Sequence, residues 1–145
     1  MKDYSYSATF SNRTDLERYK DNAHLLYALD IHEKIDDIHS LAANSLTDGN
    51  DDKKCDLVYI DEEKRIAILA QGYFSNSKNG EAPANKASDL NTAVTWLLNG
   101  DLNKIGNKKL KPKAQELRDA INSGTIEMPF FGAAAPCNKN TLLSC

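Results

Sequence analysis

Apolar side chains recur along the first third of the chain at intervals of three and four. Thr14 and Asp15 open one such stretch, and Leu16, Tyr19, Ala23, Leu26 and Tyr27 follow on one face of a predicted helix. A second set, Ile35, Ile38, Leu41 and Ala42, repeats the period and stops at the polar run Thr47–Asp52, where Gly49 and Asn50 mark a turn. Ahead of both, Tyr4, Tyr6, Ala8 and Phe10 alternate, which reads as a short strand or an extended arm. The period then changes. Leu57–Ile60 and Ile66–Leu69 are apolar on both faces and flank the charged turn Glu62–Lys64, so they predict an antiparallel hairpin covered by helices on either side. Beyond a loop of Asn, Ser, Lys and Gly, Leu90, Ala93, Val94, Leu97 and Leu98 give another helix its apolar face. Trp96 lies along its edge and Gly100 stops it. Pro112 suits the first turn of a last helix carrying Leu117, Ala120 and Ile121, which Gly124 ends; Thr125–Phe131 reads as a further strand. The pattern predicts one α/β domain, a small mixed sheet centred on the hairpin with helices on both sides.

Composition adjusts this picture in a few places. At 145 residues the chain is long enough for one buried core. We take residues 1–131 as the domain and 132–145 as an irregular tail. The stretch FFGAAAPCNKNTLLSC holds one charged side chain, an alanine run and two of the three cysteines. It reads either as a loose tail or as unrelated residues that replace a native continuation, because an apolar strand leading into it has little to pair with. A net charge of −3 argues against a protein that coats nucleic acid, though not against a nuclease that holds its substrate locally. Cys55, Cys137 and Cys145 share no zinc-ligand spacing and make no even disulfide set. The start MKDYSYSATF lacks the apolar run of a signal peptide and no segment is long enough to span a membrane, so a cytoplasmic protein without a membrane partner is expected.

The hairpin is also where chemistry is expected. Asp56 starts its first strand and Gln71 lies near the end of its second, so an antiparallel pair brings the two side by side; Asp52 leads into the same strand. Their oxygens are hard ligands suited to Mg²⁺ or Mn²⁺. The plainer reading is that these aspartates are solvated turn residues. His24, His32 and His39 lie on the first two helices, which Asp30–Lys34 separates. Cys55 reads as a small buried apolar residue, Asp36 and Asp37 as either a helix-borne acid or a solvated face, and the basic run KIGNKKLKPK as a solvated connector or a phosphate contact.

Asp-x-x-x-Asp leading into a strand, then a turn and an apolar strand ending in Gln, resembles Mrr-like members of the PD-(D/E)XK nuclease superfamily. Through SLTDGNDDKKCDLVYID, ILAQGYFS and APANKASDLNTAVTWLL, covering roughly residues 14–127, the chain more closely resembles the amino-terminal domain of abortive-infection phage-resistance (AIPR) proteins. The resemblance implies a restriction-endonuclease-like mixed sheet with a central antiparallel hairpin (56–61, 65–74). It also implies a role in bacterial defence against phage, and a chain that supplies only the amino-terminal part of a longer protein. Asp52, Asp56 and Gln71 would then be the metal ligands for Mg²⁺ or Mn²⁺, and nucleic acid the substrate. One departure stands out: Tyr73 occupies the position of the superfamily lysine, which helps position water and offset charge on phosphate. Lys86, near the start of the following helix, is the best relocated candidate for that role, with Lys78 behind it. Two functional expectations follow, metal-dependent phosphodiester cleavage using Asp56, Gln71, Tyr73 and Lys86, or a catalytically silent nuclease fold that binds nucleic acid or another partner. An inert fragment is the third.

Overall fold

The computed structural model describes residues 6–73 and 84–133, with side chains at 8–73 and 85–127. Helix α1 (Tyr6–Phe10) leads into a 3₁₀ segment (Thr14–Asn22), then α2 (Ala23–Glu33) and α3 (Ile38–Ser45). Strands β1 (Leu57–Asp61) and β2 (Ile66–Gln71) follow, then α4 (Ala84–Asn99), a 3₁₀ turn (Leu102–Lys104), α5 (Leu110–Asn122) and β3 (Met128–Ala133). The expected mixed α/β architecture is present. The sheet runs β1-β2-β3, with β1 antiparallel to β2 and β3 parallel to it. Lys78 and the part of the tail beyond Ala133 lie outside the described residues.

The hairpin forms as the double-sided apolar pattern dictates. Leu57 pairs with Ala70 and Asp61 with Ile66, and the left-handed Arg65 (φ 58°) completes the turn. One face places Val58, Ala67 and Leu69 against Ala93 and Leu97 of α4 and Leu110, Ala114 and Leu117 of α5. The other places Leu57, Tyr59, Ile68 and Ala70 against Leu16, Leu26, Tyr27, Ile38 and Leu41. Helices thus cover both faces, which is why the strands lack an alternating polar face. Among the described residues no helix is long and apolar enough to cross a membrane.

Three expectations change. The alternating aromatics near the start form neither strand nor arm: residues 6–10 are the short helix α1. The same spacing puts positions 6 and 10 four apart on one helix face. There the buried Phe10 ring meets Tyr27 with centroids 5.2 Å apart, and the Tyr27 hydroxyl donates to Thr9 Oγ1. The single helix expected from Thr14 is a 3₁₀ segment broken at Lys20 (φ 51°) before α2 begins. The last strand does find a partner. α4 and α5 provide the crossover that a parallel connection requires, and β3 lies along β2 from Met128 through Ala133, so Gly132 and Ala133 belong to the sheet and not to a tail.

Asp37, on the solvated face, caps α3, its Oδ1 accepting from the backbone N–H groups of His39 and Ser40. Arg118 of α5 does similar work for α4. Its guanidinium donates to the carbonyl oxygens of Leu97, Trp96 and Gly100, at 2.7, 2.8 and 2.7 Å, at the end where a helix runs short of donors, the Trp96 carbonyl also taking the Gly100 N–H. Arg118→Met retains the aliphatic stem and removes all three bonds. Urea denaturation should show a loss of about 2 kcal/mol; a change under about 0.5 kcal/mol would mean water replaces the guanidinium without cost.

Candidate functional site

The hairpin has two dissimilar ends. At its turn, charges are matched locally. Lys64 Nζ donates to Glu33 Oε2 (2.8 Å) and to the Glu33 carbonyl (2.9 Å), and Arg65 pairs with Glu127 (2.9 Å). The open end, where β1 begins and β2 finishes, gathers the residues singled out from sequence.

Asp56 lies just outside β1. Its backbone N–H donates to the Ala70 carbonyl (3.1 Å), although the strand register already sets Leu57 against Ala70. Two successive residues thus face one, the count of a β-bulge, a device that re-aims side chains at strand ends. The Asp56 carboxylate crosses to β2, where Oδ2 accepts the Gly72 N–H at 2.8 Å. Asp56 therefore bonds to the residues on either side of Gln71, and the expected approach of the two strand ends is realised.

Burial pushes the Asp56 carboxyl up to about 6. The Gly72 N–H works against this, the negative charges of Asp52 and Asp48 add to it, and the positive charge of Lys86 partly offsets it. Gln71 is 5% exposed, and its Oε1 is buried with no hydrogen-bond partner among the described residues. An uncompensated buried amide oxygen is costly, so this acceptor calls for explanation.

Tyr73, two residues on, is also buried. Lys86 places Nζ 5.8 Å from the centre of its ring and 3.5 Å from Asp89 Oδ2. Lys86 is thus near enough to act on Asp56 through its charge, while its ion-pair partner is on its own helix. The Asp52 side chain serves its own turn, Oδ1 accepting from Lys54 N–H (3.0 Å) and Oδ2 from Gly49 N–H (3.2 Å). It influences Asp56 through its field. Among the described residues no group of three or more His, Cys, Asp and Glu side chains converges as a ligand set.

The remaining candidates resolve plainly. Cys55 is fully buried and its thiol is pushed up to about 12 by that burial, so it is no nucleophile at neutral pH. His39 Nδ1 meets the Tyr19 hydroxyl (2.7 Å) and His32 Nδ1 meets Glu33 (2.6 Å), each at the surface. His24 behaves otherwise. It is buried beneath the end of β2, and a Cβ added to Gly72 would come within 2.8 Å of its Nε2. Burial lowers its pKa, with Asp21 opposing. Sequence reasoning passed over Gly72, although a glycine at the end of a strand signals close approach by another group. Here two groups approach, His24 against one side and the Asp56 carboxylate at the N–H.

No family model, curated protein or solved structure matches the chain.

Proposed function

We propose that this chain is a nuclease-like domain that hydrolyses phosphodiester bonds of nucleic acid with Mg²⁺ or Mn²⁺ bound at Asp56 and Gln71. The carrying observation is a buried Gln71 Oε1 without a donor among the described residues, at the strand end where Asp56 bonds to both neighbours of Gln71 and burial raises its carboxyl to about 6. Both are hard donors, and a divalent cation is a partner that favours the ionised form of Asp56 while occupying the Gln71 oxygen. When bound, such an ion polarises a phosphate and acidifies water. The chain's own contributions are the Gly72 N–H, which fixes the Asp56 carboxylate, the charge of Lys86, and the charge of Asp52, which strengthens attraction for a cation. Support for a place in abortive infection comes from the resemblance to AIPR proteins alone.

Calorimetric titration of Mn²⁺ tests this reading. Saturable binding is expected in the parent protein and absent from Asp56→Ala and Gln71→Leu, with Mn²⁺-dependent cleavage of DNA or RNA following the same pattern. Binding that persists in both variants sinks the site.

A second reading has its own observation. The position of the superfamily lysine holds buried Tyr73, which carries no fixed charge, and Lys86 is engaged by Asp89. A catalytically silent fold that binds nucleic acid predicts Mn²⁺ uptake, or none, with no cleavage of any substrate.

A further inference from the structure

We infer that the loops 51–54 and 104–111 together form a nucleic-acid backbone-binding surface beside the Asp56–Gln71 end of the hairpin. The inference takes from the proposed function only that the partner is nucleic acid.

The two loops are far apart in sequence and locked together in space. Asn107 is buried and donates from Nδ2 to the carbonyls of Thr47 and Asn50, both at 3.1 Å. Asp51 Oδ2 accepts the Gly106 N–H. Thr47 in turn bonds to the strand that carries Asp56: its N–H donates to the Asp56 carbonyl and its hydroxyl to the Cys55 carbonyl. The run KIGNKKLKPK is thereby fixed at the open end of the hairpin.

Most of its lysines have no acidic partner there. Lys54, Lys104, Lys108, Lys109 and Lys111 are exposed, and none forms an ion pair among the described residues. The acids in and beside these loops keep their charge but hold backbone donors or Lys53 and none of these five lysine side chains. Asp51 takes Lys53 and Gly106 N–H, Asp52 takes Gly49 and Lys54 N–H, and Asp101 takes Asn103 N–H. Two of these lysines, 109 and 111, lie at the start of α5, the end where a helix favours anions over cations, whereas Lys113 is paired with Glu116. The N–H groups of Lys109 and Leu110 are capped by Asn107 Oδ1, so the feature that asks for a polyanion is the lysine cluster, placed against local helix electrostatics in a chain of net charge −3. The surface carries no aromatic stacking ring except Trp96, which Lys53 covers at 4.3 Å. It is therefore built for sequence-blind phosphate contact.

The test is fluorescence anisotropy of a labelled DNA duplex at several salt concentrations, in EDTA so that the Asp56–Gln71 site plays no part. For Lys104→Gln, Lys108→Gln and Lys109→Gln combined, the slope of log K against log[salt] should fall by about 2 to 3 relative to the parent, at roughly 0.9 per lost phosphate contact. Lys34→Asn, at the other end of α2 near the hairpin turn, should leave it unchanged. Circular dichroism of the triple variant should match the parent, since all three side chains are exposed.

An unchanged slope, or no binding by the parent, overturns the surface. So does lysine-dependent binding to anionic phospholipid vesicles with none to DNA, which would assign it to a membrane. Mn²⁺-dependent cleavage surviving alongside an unchanged slope removes this inference and leaves the nuclease reading intact. Lysine-dependent binding without cleavage does the reverse.

Discussion

In metal-free buffer at pH 7.5, Asp56→Asn should raise the thermal midpoint by about 5 °C, while abolishing the stabilisation that Mn²⁺ gives the parent protein. The reason is the environment of the carboxyl. Its pKa in the fold is about 6, above the usual carboxylate value, so between roughly pH 4 and 6 the folded state binds more protons than the unfolded chain. Stability attributable to Asp56 therefore falls as pH rises through that window, and the whole loss is present at pH 7.5. A displacement of about two units corresponds to about 3 kcal/mol, and partial solvent access reduces this to on the order of 1–2 kcal/mol. Asparagine keeps an oxygen for the Gly72 N–H and removes the buried charge. The gain should vanish near pH 3.5, where the parent carboxyl is protonated in both states. With Mn²⁺ present the order should reverse, because only the parent binds the ion and gains stability by mass action. A variant less stable than the parent in EDTA at pH 7.5 would show that Asp56 is a structural anion serving Gly72 and Lys86, and the metal proposal would lose its energetic basis. The expected pattern is that of a functional group kept at a cost to the fold.

The hairpin was legible because its signal is local. Two apolar runs around a charged turn admit one pairing, and their lack of a polar face already implied helices on both sides. The meeting of Asp56 with the end of the second strand at Gln71 was legible for the same reason, whereas Tyr73 and Lys86 were singled out only through the resemblance. What escaped depends on contacts between distant segments. The extra residue at Asp56, which turns its carboxylate onto Gly72, is invisible in a pattern of alternation. His24 looked like one of three scattered histidines, and only the fold puts it under Gly72 while His32 and His39 reach the surface. Alternating aromatics at the start matched two periods equally well, and the burial of Phe10 against Tyr27 decided for the helix. The turn Thr47–Asp52 and the run KIGNKKLKPK, read as a solvated connector or a phosphate contact, gave no sign of being joined because nothing in either announces the other.

Asn107 joins those two segments, and Asn107→Ala should destabilise the protein by about 3 kcal/mol, a fall of roughly 10 °C in thermal midpoint. The side chain is fully used. Oδ1 accepts from Lys109 and Leu110 N–H at 2.9 and 2.8 Å, capping α5, while Nδ2 donates to Thr47 and Asn50. Loss of the cap costs about 1 kcal/mol, and two carbonyls that lose a buried donor add about 1 kcal/mol each. Asn107→Asp separates the two halves. It keeps the acceptor for the cap, and its charge is favoured at a helix start, but it presents an anion to the two carbonyls that need a donor. If the tie to the Thr47–Asp52 turn matters as much as the cap, Asp should recover less than half of the stability lost in Ala. Full recovery would mean that the cap alone counts and that the two loops hold together through Asp51 and Gly106. The Ala variant should also weaken Mn²⁺ binding without touching a proposed ligand, because Thr47 holds the backbone of Cys55 and Asp56 in place. Weakened metal binding in Asn107→Ala with unaltered binding in Arg118→Met, a loss of comparable size at the far end of α4, would separate positioning of the site from stability at large.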